Sequence, residues 1–325
     1  MAGYNPGMSW KLLALALLAG VTALAQERVQ ARIPIILDTD IGDSIDDALA
    51  LAFALHSPEL DVRAVTTVID DVESKTRLAW KMLSIYNRRD VGLAMGASEP
   101  LLDPTTSVPS KEFEVLTRND VIPEAAHKRA ADLIIDTVLQ ARSKITIVAI
   151  GPMTNIALAL KTDPRIKNNI ERIVIMGGAY LSSESEYNVK RDRAAAEIVF
   201  QSGIPITAVG LDVTSQCKLR EKDLDRMRIA DDPAGNFLIH LVDLAEEQTH
   251  EANPTLYDPL AIAAIFRPDL LEMQAGTVDI PLSGPGQTIF KPSAGSKTQV
   301  AVKVNVQAFL DLFVDRVTKG VGGLR

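Results

Sequence analysis

A chain of 325 residues, 47% hydrophobic and 23% charged, has the composition of a soluble globular protein and not of a disordered or membrane-spanning one. Its net charge of −8, with no basic run and no interleaving of basic and aromatic residues, excludes nucleic acid polymers as expected partners. The only cysteine, Cys217, excludes an internal disulfide and a multi-thiolate zinc site.

The chain opens on an address. After Lys11, the apolar run 12–25 ends in Ala23-Leu24-Ala25, with small residues at the two positions a signal peptidase reads, and polar Gln26-Glu27-Arg28 follows. The run is shorter than the ~20 residues a spanning helix needs. Residues 1–25 are therefore expected to form a removable signal peptide. Residues 26–325 would then be one mature domain, periplasmic or secreted, with no stable membrane insertion.

Short apolar runs and helical stretches alternate from there on. Residues 33–37, 62–68, 145–150, 170–176 and 206–211 read as buried strands, continuous in apolar residues as a sheet covered on both faces requires. Residues 46–56, 75–86, 125–142, 155–161 and 194–202 read as the helices between them. This alternation predicts a doubly wound, mostly parallel α/β sheet flanked by helices, with ligands beyond the carboxyl ends of the strands. Two stretches, 99–123 and 180–193, lack periodicity, and loops of that length in a compact domain are candidate walls of a site.

The most informative segment runs Leu37-Asp38-Thr39-Asp40-Ile41-Gly42-Asp43-Ser44-Ile45-Asp46-Asp47-Ala48. A buried strand ends at Asp38, the chain turns through Gly42, and a helix begins near Asp46. Capping and the helix dipole account for one or two of these acids. Five carboxylates within ten residues raise one another's pKa and cost stability unless a cation neutralises them. Hard divalent ions, calcium or magnesium, prefer such oxygen ligands.

This segment resembles the signature of the inosine-uridine-preferring nucleoside hydrolase family, a strand ending in Asp-x-Asp, then Gly and an Asp-Asp pair. Further similar blocks follow in order: Ala64-Val65-Thr66-Thr67-Val68, Gly96 with Pro100-Leu101, Gly151-Pro152-Met153-Thr154-Asn155-Ile156-Ala157, Met176-Gly177-Gly178, Glu186-Tyr187-Asn188, Gly210-Leu211-Asp212-Val213-Thr214 and Tyr257-Asp258-Pro259-Leu260-Ala261. The resemblance implies a single nucleoside-hydrolase-like domain that cleaves the N-glycosidic bond of ribonucleosides, releasing free base and ribose. It implies one Ca2+ per site, held by Asp40, Asp47, the carbonyl of Ile150 and Asp258, and a homo-oligomer, dimer or tetramer. A metal-activated water beside Asp40 would give that carboxylate its proton and attack C1′ through an oxocarbenium-like transition state. Asp46 would accept from the ribose 2′-hydroxyl, Glu186 and Asn188 would hold the other hydroxyls, and Asp258 would touch sugar as well as metal.

Several positions depart from the family's pattern. The turn after Asp40 is two residues longer than in its commonest form, and Ile41 replaces Pro. Asp71 stands where an Asn usually contacts sugar or water. Tyr257 precedes Asp258 where many members place a His that protonates the leaving base, and 99–123 carries no His-Gly motif. Tyr257 is the expected substitute, although a phenol near pKa 10 is a poor acid unless its surroundings lower that value. Two rivals use the same opening acids. A haloacid-dehalogenase-like phosphatase would need the first Asp as nucleophile, and an exported nucleoside- or ribose-binding protein would keep the sugar site without turnover.

Overall fold

A computed structural model describes residues 31–102, 109–229 and 232–318. The expected signal peptide lies outside these residues. The described residues from Ile33 onward cluster as one compact unit, and among the described residues no helix is long and apolar enough to cross a membrane.

The strands are β1 (Ile33–Thr39), β2 (Leu60–Thr67), β3 (Gly92–Ala94), β4 (Ile145–Ala149), β5 (Ile170–Met176), β6 (Ile206–Val209), β7 (Leu271–Asp279), β8 (Ile289–Pro292) and β9 (Thr298–Val304). They form one sheet in the order β3-β2-β1-β4-β5-β6-β9-β7-β8. Pairing is parallel from β3 to β9, and β7 and β8 close one edge antiparallel. The helices are α1 (Ile45–His56), α2 (Val72–Ile85), α3 (Ala130–Gln140), α4 (Thr154–Thr162), α5 (Tyr187–Arg191), α6 (Arg193–Phe200), α7 (Leu211–Thr214), α8 (Glu221–Ile229), α9 (Pro233–Thr249), α10 (Tyr257–Phe266) and α11 (Val306–Val317).

Alternation along β1 divides the core. Ile35 and Leu37 face one apolar cluster with α1, α9, α10 and α11, while Ile36 faces a second with α3, α4 and α6. Helix α1 is buried from Asp46 to His56, wedged among α9, α10 and α11, with the Phe53 ring 5.3 Å from Phe313 and 5.9 Å from Phe266. A helix apolar all round needs neighbours on every side, and α10, Tyr-Asp-Pro-Leu-Ala-Ile-Ala-Ala-Ile-Phe, is of the same kind.

Two expected elements differ. The helix expected over 125–142 is interrupted: Met95 donates to Ala126 O and Ala130 donates to Met95 O, which holds Arg129 extended and delays α3 to Ala130. The helix expected from Lys75 begins at Val72, because Asp71 caps it by accepting from Ser74 N at 3.0 Å.

The Thr-Asn block acts here as a clamp. Asn155 Nδ2 donates to Asp38 Oδ1 at 2.8 Å and to Thr67 O at 2.9 Å, and its Oδ1 accepts from Ala97 N at 2.9 Å, so one amide fixes the ends of β1 and β2 and the segment after β3. Gly96 leaves room for it. A Cβ there would lie 1.8 Å from Thr67 O and 2.4 Å from Asn155 Nδ2. Gly96→Ala is therefore expected to destabilise the fold by about 2–4 kcal/mol, read from the midpoint of urea unfolding at unchanged slope.

Candidate active site

The sheet order reverses between β1 and β4, the switch point at which open α/β sheets bind ligands. The carboxyl ends of both strands meet there, Asp38 pairing with Ala149 in register. A cavity of about 440 Å3 opens over them. Asp40, Asp43, Asp46, Asp47 and Asp258 line its floor, and Ile150, Glu186, Tyr187, Asn188 and Tyr257 stand around it.

Asp46 and Asp47 occupy the first turn of α1 and Asp258 the first turn of α10. Because the two helices pack side by side, acids 211 or 212 positions apart converge. Carboxylate oxygens of Asp46, Asp47 and Asp258 lie within 4.8 Å of one another, all buried. Two helix N-termini face the cluster and offset part of the repulsion, but burial and mutual repulsion still hold the carboxyls of Asp40, Asp47 and Asp258 well above the usual range. Asp46 is also raised, chiefly by burial. Buried acids pressed together in this way are the donor set of a hard divalent cation, so the residues present fit the implied metal.

This trio holds two of the expected ligands, Asp47 and Asp258, together with Asp46, which the family pattern assigns to the sugar. Ser44 Oγ donates to Asp46 Oδ1 and Asp258 N donates to Asp46 Oδ2, which draws Asp46 in beside Asp258. Asp40 lines the same cavity outside the trio, and Thr39 Oγ1 steadies Asp47 Oδ1. The Ile150 carbonyl accepts from Asn188 Nδ2 at 2.9 Å, leaving its second lone pair for another partner. Asn188 Nδ2 also donates to Met176 O. Glu186 caps α5, with Oε2 accepting from Gly178 N and Val189 N and Oε1 from Asn188 N. Its buried carboxylate is thus largely engaged by backbone.

Asp38 is fully buried, bonded to Thr66 and Asn155, and absent from the cavity wall, with its carboxyl pushed up to about 7 by burial. It frames the site from beneath, and the phosphatase reading, which needs it as an accessible nucleophile, is not favoured.

The model of the family described as inosine-uridine preferring nucleoside hydrolase matches residues 35–311. The chain belongs to that family. A curated relative, the pyrimidine-specific ribonucleoside hydrolase RihA of Escherichia coli O127:H6 (strain E2348/69 / EPEC), is 35% identical over 307 residues, spanning 88% of this chain and 98% of that one. Among solved structures, a purine-preferring ribonucleoside hydrolase from Gardnerella vaginalis superposes with TM-score 0.78 at 32% identity, covering 88% of this chain and 98% of the other. A plant nucleoside hydrolase, PpNRh1, gives TM-score 0.80 at 28% identity over 89% of this chain and 100% of its own.

Against the pattern of that family, two expected contacts come out differently. Asp71 does not reach the cavity. Left-handed backbone at Ile69 and Asp70, φ 63° and 60°, swings it outward to cap α2, where it is exposed. Tyr257 does line the cavity; burial first, with the charge of Asp46 adding and a hydrogen bond with Thr255 opposing, holds its phenol above the usual value.

The structure also brings in residues that the sequence did not single out. Lys75 is 1% exposed, and its Nζ pairs with Asp43 Oδ1 at 2.7 Å and donates to Val68 O at 3.3 Å. Arg191 and Asp70 form a second nearly buried pair. The sequence put Lys75 at the start of an expected helix, where a solvated lysine is the common outcome.

Proposed function

We propose that this protein hydrolyses the N-glycosidic bond of ribonucleosides with calcium as its metal. The reading rests above all on the convergence of Asp46, Asp47 and Asp258, from opposite ends of the chain, on one point of a cavity that polar groups otherwise ring. Bound there, a divalent ion would neutralise the acids and offer coordination positions to sugar hydroxyls and to water. The side chains supply the rest. Asp40, 3% exposed and at the cavity floor, is placed to take the proton of an attacking water. Asn188, pinned through its Nδ2, turns its carbonyl oxygen free for a sugar hydroxyl. The anionic floor favours a ribosyl group that gains positive charge as the base departs. The apolar run 12–25 supports reading it as an exported enzyme, acting outside the inner membrane.

The purified chain is expected to release reducing sugar from ribonucleosides, to stop when a chelator is added, and to recover with calcium. The 2′-deoxy counterparts are expected to react roughly 10^3-fold more slowly, since the missing hydroxyl strands a buried acceptor. Unchanged turnover in chelator, or equal rates for both sugars, would falsify this reading.

A further inference from the structure

A second, smaller chamber of about 120 Å3 adjoins the acid cavity and shares Asp43, Ser44, Asp46 and Tyr257 with it as a common wall. Its far side comes from the 3-10 turn Lys111–Val115 and the C-terminal half of α9, which contribute Ser110, Glu112, Val242, Ala245 and Thr249. The lining therefore pairs apolar surface with scattered polar groups, the usual makeup of a small-molecule pocket.

Glu112 stands out within it. Its side chain is 2% exposed, and Oε2 has no hydrogen-bond partner among the described residues. An unmatched buried carboxyl oxygen costs stability and asks for a reason. The turn that carries it is held firmly: Ser110 Oγ accepts from Glu112 N at 3.1 Å, Gln248 Oε1 accepts from Lys111 N at 2.6 Å, and Lys111 Nζ pairs with Glu247 at 3.1 Å. Phe113 packs onto Gly42 so closely that a Cβ there would lie 2.4 Å from its ring, at a φ of +98° that also favours glycine. Glu112 is thus fixed relative to the loop that carries Asp40 and Asp43.

We propose that Glu112 is a specificity-determining residue whose carboxyl hydrogen-bonds the polar edge of the leaving base, seated in this side chamber while the sugar occupies the acid cavity. This rests on the ribonucleoside reading above. The ligand class is a heterocycle that offers a donor and an acceptor on one edge. Oε2, unmatched and fixed in place, can accept from the donor on that edge, and the carboxyl can donate to its acceptor whenever it is protonated.

The test compares the full-length purified enzyme with Glu112→Ala and Glu112→Gln on uridine, inosine and p-nitrophenyl riboside, whose leaving group has no such edge. Glu112→Ala is expected to lower kcat/KM for the nucleosides roughly 10- to 100-fold more than for the nitrophenyl riboside. Glu112→Gln, whose amide also donates and accepts, is expected to stay within about threefold of the parent enzyme's substrate ratio. The calcium-induced rise in unfolding temperature should be the same in all three proteins. Equal losses on both kinds of substrate, no loss, or a Glu112→Gln defect as large as that of Glu112→Ala would overturn the proposal and leave the hydrolase reading standing. A parent enzyme that cleaves none of these substrates would overturn the hydrolase reading itself, and this proposal with it.

Discussion

Asp258→Asn is expected to lower kcat/KM for ribonucleosides by roughly 10^3-fold or more, the scale of several kcal/mol of transition-state stabilisation, while the fold persists. The amide keeps the size and much of the hydrogen bonding of the carboxyl but removes one of three charges that share a point. The same variant should invert the stability order in chelator. Asp40, Asp46, Asp47 and Asp258 have pKa values raised above the ordinary 3.8, so the folded state without cation holds protons that the unfolded chain releases. Their contribution to stability is present below the unfolded value and is lost as pH rises through the folded ones. Chelated parent protein should accordingly melt at progressively lower temperature from pH 5 to pH 8. A divalent cation bound there would displace those protons, so the stabilising shift on adding calcium should grow over the same range. Asp258→Asn, with one repulsion gone, should melt higher than the parent in chelator at pH 8 and respond less to calcium. Differential scanning calorimetry at matched ionic strength reads all of these, and a chelated variant that melts below its parent at pH 8 would contradict the account.

Lys75→Met is expected to cost about 3 kcal/mol, within the range for removing one partner of a buried ion pair, and a fall in Tm of roughly 5–10 °C. Methionine fills a similar volume, so the loss is electrostatic. Asp43 would be left beside Asp40 without its counter-ion, and Lys75 is also the charge that restrains the rise in the Asp40 pKa. The double variant Lys75→Met, Asp43→Asn should recover much of the loss, because a neutral pair needs no compensation. Equal stability of the single and double variants would show that the pair is not coupled. The longer turn between Asp40 and Asp46 adds Asp43 to the site, and Lys75 is what makes that addition tolerable in a buried floor.

Much of the site was legible before the fold. The five acids of 38–47, with a clean apolar strand leading in, pointed to a cation because charge repulsion is a local consequence of sequence. The loops 99–123 and 180–193 showed themselves by their lack of periodicity, and they supply Ser110 and Glu112 to the side chamber and Glu186, Tyr187 and Asn188 to the cavity. Asp71 illustrates the limit. Its place in the pattern was visible, but its direction depends on two left-handed residues before it, and backbone dihedrals at a turn are set by what the turn packs against.

The sequence alone determined the alternation of strands and helices, the acid-rich strand end and the family, because apolar periodicity and residue order are properties of the chain itself. It did not resolve the helices after residue 211, nor β3, β7, β8 and β9, where strand runs are short, exposed on one face, or paired antiparallel at a sheet edge. Only the tertiary structure decided that Asp46 lies beside Asp47 and Asp258, that Glu186 spends its carboxylate on backbone, and that Lys75 and Glu112 are buried. Each of those outcomes depends on side chains meeting across dozens to hundreds of residues in sequence, and burial, which sets their charge states, exists only once the layers have closed.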